Sequence, residues 1–124
     1  MTPVTLTLVA LGSALGGVCR FVVSALVKGG GGFPWATFAV NVAGSLLIGV
    51  LSGVLARCGG AHAALWRAFA VVGFCGGFTT FSTFSNDSYR LLENGQYTLL
   101  SLYVVSSVLA GFGAVVLGWT LSRL

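Results

Sequence analysis

Four stretches of more than twenty residues run almost free of charge through this sequence. They extend from about Val4 to Val27, Trp35 to Ala56, Ala68 to Tyr89 and Tyr97 to Leu121. A bilayer core about 30 Å thick is crossed by roughly 20 apolar residues in helical conformation. Backbone polar groups in lipid must be satisfied within the segment, which for single stretches of this length leaves the α-helix. The punctuation agrees with four spans. Lys28 and the run Gly29 to Gly32 end the first, Pro34 opens the second and Arg57 closes it. "RCGGAHAALWR" reads as a short polar loop, and "RLLENGQ" reads as a turn containing Asn-Gly. With 56% apolar and 6% charged residues in 124, the chain is a single transmembrane domain, 1–124, with no separate soluble module.

The same composition excludes several functions. Six basic residues are too sparse for nucleic acid and ordinary for the flanks of membrane helices. The N-terminal "MTPVTLTLVALG" lacks the basic region of a secretory leader, and its apolar run continues past Gly16, so it reads as a retained helix. Cys19, Cys58 and Cys75 have no metal-type spacing and read as small apolar filler. One histidine, His62, in a loop without a convergent nucleophile, does not make an enzyme.

Charge placement is unusual. With the N-terminus inside, Arg57, Arg67 and Arg123 fall on the inner side, while Lys28, Arg90 and Arg20 fall toward the outer. Three against three gives no orientation bias. Four short helices enclose little volume, so an oligomer is expected, and an antiparallel two-fold dimer uses both facts. Gly12 with Gly16 and Gly49 with Gly53 form Gly-x-x-x-Gly pairs; Ser13 with Gly17 and Ser45 with Gly49 fit the looser pattern. Such spacing lets helices approach closely, and packing inside one bundle accounts for it.

Polar groups at membrane depth mark candidate sites. Arg20 either snorkels to the interface and caps carbonyls, or stands as a fixed charge drawing anions into a vestibule. Asn41, with Thr37 one turn earlier, either bonds a neighbouring helix or points a donor at a permeating anion. The only acids, Asp87 and Glu93, lie at the far end of the third span and in the turn after it. A proton-coupled pump or cation exporter generally needs an intramembrane carboxylate, so an anion or neutral-polar route is favoured.

The most informative stretch is "GFCGGFTTFSTFSND", Gly73 to Asp87. Gly76-Gly77 followed by Thr79-Thr80 makes a poor continuous helix, and a break here exposes main-chain carbonyls suited to a hard monovalent cation. Beyond it Phe81 and Phe84 share one face, with Ser82 and Ser85 as a neighbouring stripe. Ring edges are positively polarised and hydroxyls donate, so the surface suits a small desolvated anion. Tyr103 and Ser107, at i and i+4 of the fourth span, extend a hydroxyl track on the facing side. A phenylalanine pair at helical spacing also occurs as plain core.

"GGVCRF" at 16–21, "ATFAVNVAGSLLIG" at 36–49 and "GFCGGFTTFSTFS" at 73–85 resemble the Fluc (CrcB) family of fluoride channels, and the likeness in span number and motif order covers the whole chain. The resemblance implies an all-α membrane protein of four transmembrane helices, the third broken at mid-membrane. It would work as an antiparallel dual-topology homodimer in the bacterial inner membrane, passing fluoride through two pores and so relieving cytoplasmic fluoride toxicity. Phe81 and Phe84 would form an aromatic box, Asn41 the pore amide and Arg20 the vestibule arginine. Thr37, Ser82, Thr83, Tyr103 and Ser107 are the matching polar candidates. A central sodium ion, structural and not transported, would be held by backbone carbonyls of Gly76 and Thr79. Two departures are visible. Asp87 stands where a glutamate is common, and Gly111 where some members continue the track with serine. The alternatives are a small four-helix dual-topology exporter, against which the absence of a first-span carboxylate argues, and a non-transporting assembly subunit.

Overall fold

The computed structural model describes residues 1–124 as an all-helical chain with four runs long and apolar enough to cross a membrane: Pro3–Leu26, Trp35–Arg57, Ala61–Glu93 and Tyr97–Leu121. The first helix starts in a reciprocal cap. Thr2 Oγ1 accepts the Thr5 N–H at 3.2 Å and Thr5 Oγ1 accepts the Thr2 N–H at 3.0 Å, while Pro3 sets the first helical φ. The second helix follows Pro34, as the sequence suggests. At its end the Arg57 guanidinium donates to the Ser122 carbonyl, satisfying a group that the end of the fourth helix would otherwise leave orphaned.

The bundle is two close pairs, the first helix along the third run and the second along the fourth. Small residues make both contacts. A Cβ at Gly12 or Gly16 would strike the carbonyls of Phe69 and Phe74; one at Gly49 would strike the Val115 carbonyl, and one at Gly118 the Leu46 carbonyl. The Gly-x-x-x-Gly spacing therefore serves packing inside the chain, where close backbone approach replaces the hydrophobic effect as the source of cohesion.

The third run departs most from the sequence expectation. It begins at Ala61, not Ala68, because "AHAALW" is built of good helix formers and follows Gly60 (φ 91°), which turns the chain into it. It ends at Glu93, so the expected turn shrinks to the residues around Asn94 and Gly95. Arg67–Cys75 is π-helical, with the Gly76 N–H reaching back to the Val71 carbonyl. Gly76 and Gly77 remain helical, and the chain is extended at Thr79 and Thr80. Gly77 is required for contact: a Cβ there would lie 2.5 Å from the Ser13 carbonyl oxygen of the first helix.

Candidate functional site

The interruption of the third run is built from side chains that take over the helix's own hydrogen bonds. Thr79 (φ −78°, ψ 158°) and Thr80 (φ −150°, ψ 115°) are extended. In a continuous helix the Thr80 N–H would close on the Gly76 carbonyl. Here it donates to Asn41 Oδ1 at 2.8 Å, and Asn41 Nδ2 donates to the Thr80 carbonyl at 3.1 Å. One amide thus pairs with both main-chain groups of one residue, as a neighbouring strand would. The next helical segment, Phe81–Glu93, starts with Thr80 as its cap, whose Oγ1 accepts the Thr83 N–H at 3.2 Å. That diverts the donor that a continuous helix would give to the Thr79 carbonyl. Thr79 Oγ1 turns back to the Cys75 carbonyl at 2.9 Å. The carbonyls of Gly76 and Thr79 are therefore released from their i+4 donors by Asn41 and Thr80.

Two cavities flank this clamp. One, of about 340 Å³, brings together Asn41, Phe81, Phe84 and Ser107, with Ser45 and Gly111 on its wall. The other, of about 200 Å³, brings together Arg20, Thr37 and Thr83. Thr80 borders both. In the first cavity Phe81 and Phe84 lie with ring centroids 5.9 Å apart and planes at 39°. Phe81 is 79% exposed. The Ser107 hydroxyl is buried and has no hydrogen-bond partner, and Asn41 retains one amide hydrogen beyond its bond to Thr80. No charged side chain borders this cavity. It offers donors and aromatic rings and no competing anion, the conditions under which a small desolvated anion can be held.

Asp87 has a role that its position in the chain does not reveal. It lies toward the far end of the third run, as expected, and is buried there, 8% exposed, against residues of the second and fourth helices. Thr37 Oγ1 donates to its Oδ2 at 2.7 Å and the Tyr103 hydroxyl donates to the same oxygen at 3.3 Å. The signal lay in its spacing: Asp87 is seven residues after Thr80 and four after Thr83, on the inward face of the segment. Thr37 and Tyr103 thus spend their protons on Asp87. Tyr103 is fully buried and borders neither cavity, packed on Phe84 at 5.1 Å and on Phe33 at 5.4 Å between centroids. Ser82 lies exposed outside both cavities, its Oγ 3.3 Å from Thr80 Oγ1. Arg20 is half-buried and has no partner within the chain, so its charge is available to the second cavity.

The whole chain is similar in sequence to known proteins. A family model described as CrcB-like protein, Camphor Resistance (CrcB), matches residues 7–119. A protein of Novosphingobium aromaticivorans named fluoride-specific ion channel FluC is 45% identical over 119 residues, covering 93% of each chain. One of the same name from Erythrobacter litoralis is 44% identical over 122 residues, covering 94% of this chain and 90% of the relative. Another, from Phocaeicola vulgatus, is 41% identical over 121 residues, covering 96% of this chain and 98% of the relative.

Proposed function

This chain belongs to the CrcB-like family, and on that premise we propose that it is a fluoride-specific ion channel of the bacterial inner membrane that passes fluoride passively and lowers its cytoplasmic concentration. The observation that carries the reading is the meeting in one cavity of the free Asn41 amide hydrogen, the Phe81 and Phe84 rings and the unpartnered Ser107 hydroxyl, with no carboxylate on its wall. Fluoride holds its water tightly, so a pore must offer donors already in place when that water leaves. Rigid amide and hydroxyl donors do this best for a small anion; a larger halide forms weaker bonds with them and fits a narrow path poorly. Arg20, at the second cavity, raises the local anion concentration without entering the dry part of the path. Tyr103, held by Asp87, packs behind Phe84, Thr37 and Thr83 border the second cavity with Arg20, and Ser82 lies exposed beside the Thr80 hydroxyl.

The functional unit is an antiparallel homodimer of chains inserted in both orientations, with two pores. Two observations support it. The basic residues divide three against three between the loop ends. The Phe81–Glu93 segment also leaves Phe81, Ser82, Ser85 and Asn86 exposed on the single chain, and hydroxyl and amide groups facing lipid are costly unless another surface covers them. A C-terminal tag reachable from both faces of the membrane in comparable amounts is expected; one orientation alone would refute the arrangement.

A structural sodium ion fits the residues present. The Gly76 and Thr79 carbonyls are relieved of their helical donors, and Gly76 is exposed on the single chain. Neutral main-chain oxygens from two copies would hold a small dehydrated cation. Its contribution would be a fixed positive charge that satisfies the released carbonyls.

The test of the function separates a channel from a coupled exporter. Purified protein in liposomes should release trapped fluoride down its gradient with no proton gradient imposed, followed with a fluoride electrode. Release that requires an opposing proton gradient would reject the channel.

A further inference from the structure

On the fourth helix the hydroxyl face toward the cavity ends at Ser107. Ser107 and Gly111 are one turn apart on the same face and border the same cavity, so the wall beside Gly111 has no side chain of its own. The space opposite is occupied from another helix. A Cβ built on Gly111 would meet one neighbouring side-chain atom within 4 Å, the hydroxyl oxygen of Ser45, at 3.6 Å. Ser45 lies on the second helix one turn after Asn41 and borders the cavity with it.

The state of that hydroxyl is informative. Serine and threonine in helices commonly turn back to a carbonyl of the preceding turn. Thr7, Ser88, Ser101 and Thr120 all do so here, at 2.8 to 3.0 Å. Ser45 does not, and neither do Ser13, Ser24, Ser52 and Ser85, but of these only Ser45 borders the cavity of Asn41 and of Ser107, whose buried Oγ is also unbonded. Two unspent hydroxyls therefore share a cavity with the one unspent amide hydrogen of Asn41. An unbonded hydroxyl beside a dry path is unfavourable unless something passing along the path accepts from it.

We propose that Ser45 is a pore hydroxyl: it supplies from the second helix the donor missing at Gly111 of the fourth, and it binds the permeating anion together with Ser107 and Asn41. The assignment rests on the channel function proposed above. It competes with a packing role, in which Ser45 is merely small enough for the contact between the second and fourth helices. Alanine distinguishes the two, because it is as small as serine and lacks the donor.

The experiment is a double-mutant cycle in liposomes, with dimer elution checked for each variant and fluoride efflux as the readout. Ser45→Ala should elute like the wild type and lower the fluoride efflux rate by roughly tenfold or more, the weight of a hydrogen bond to a charged partner. The 3.6 Å spacing is ordinary van der Waals contact, so Gly111→Ser should be accommodated and place a hydroxyl at nearly the same point of the cavity. In the Gly111→Ser background, Ser45→Ala should then cost about threefold or less. That difference between backgrounds holds even if Gly111→Ser alone changes the rate. Wild-type efflux in Ser45→Ala, or the same loss in both backgrounds, would overturn the assignment and leave Ser45 as a packing residue. A wild-type protein that passes no fluoride would instead reject the parent reading, so the two failures are distinct.

Discussion

Replacing Asn41 by alanine should remove the clamp on the third run, and the structure gives the size of the effect. Two hydrogen bonds are lost, at 2.8 Å from the Thr80 N–H and at 3.1 Å to the Thr80 carbonyl. Each main-chain group left unsatisfied away from water costs about 1–3 kcal/mol, so the direct penalty is roughly 2–6 kcal/mol. The segment has one escape. The Thr80 N–H can close on the Gly76 carbonyl and make the helix continuous, recovering part of that energy. Every 1.4 kcal/mol is a factor of ten in the balance between the two forms, so even half of the penalty shifts the population substantially. The continuous form moves Phe81 and Phe84 off their present cavity and consumes the Gly76 carbonyl. Asn41→Ala should therefore unfold at lower temperature in detergent, alter deuterium exchange of the Thr80 amide, and reduce fluoride efflux by tenfold or more. Asn41→Ser cannot span both Thr80 groups and should behave similarly. Asn41→Asp adds a negative charge to the path and should block the anion more severely than serine does. An alanine variant with wild-type unfolding temperature and wild-type exchange at Thr80 would refute the reasoning, since the break would then hold without its clamp.

Other perturbations read different parts of the site. Phe81→Ile and Phe84→Ile keep apolar bulk and remove the positively polarised ring edge, so fluoride efflux should fall steeply while the dimer elutes normally; wild-type efflux in both would return the pair to packing. Asp87→Ala should strand the fully buried Tyr103 hydroxyl and the Thr37 hydroxyl, costing about 2–4 kcal/mol. Asp87→Asn keeps an acceptor oxygen and should cost about 1 kcal/mol or less, and equal thermal shifts for the two would contradict the placement. Long equilibration in sodium-free buffer with a bulky organic cation should lower both efflux and thermal stability. Thr79→Pro, which removes the N–H now bonded to the Cys75 carbonyl at 3.0 Å, should be worse than Thr79→Ser; indifference to sodium in both readouts would remove the ion from the proposal.

Much of this molecule was legible in the chain because lipid leaves little choice of structure. The start of the second helix after Pro34 and the whole of the fourth, Tyr97–Leu121, follow from apolar length and punctuation. What escaped depended on contacts between helices. Glycine is a poor helix former, so Gly76-Gly77 suggested the break; yet both remain helical, and the break falls at Thr79 and Thr80, where Asn41 takes both main-chain groups of Thr80 and the Thr80 hydroxyl takes the Thr83 N–H. Local propensity could not foresee a partner thirty-nine residues away. Asp87 looked like a flanking acid because it lies late in an apolar run, while its burial is set by Thr37 and Tyr103 on other helices. Ser45 was visible only as a small residue at packing spacing, and its unspent hydroxyl emerges only opposite Gly111. The resemblance grouped Asn41, Phe81, Phe84 and Ser107, and these four do border one cavity. It also grouped Tyr103 and Ser82 with them, which lie outside it.

The central claim is selection of one small anion by fixed neutral donors. The most direct measurement is the reversal potential of currents through the purified protein in a planar bilayer, with fluoride at unequal concentrations on the two sides and chloride making up the difference. The account predicts a potential at the fluoride equilibrium value, with no measurable chloride current. A reversal potential near zero, from comparable passage of the two halides, would contradict it.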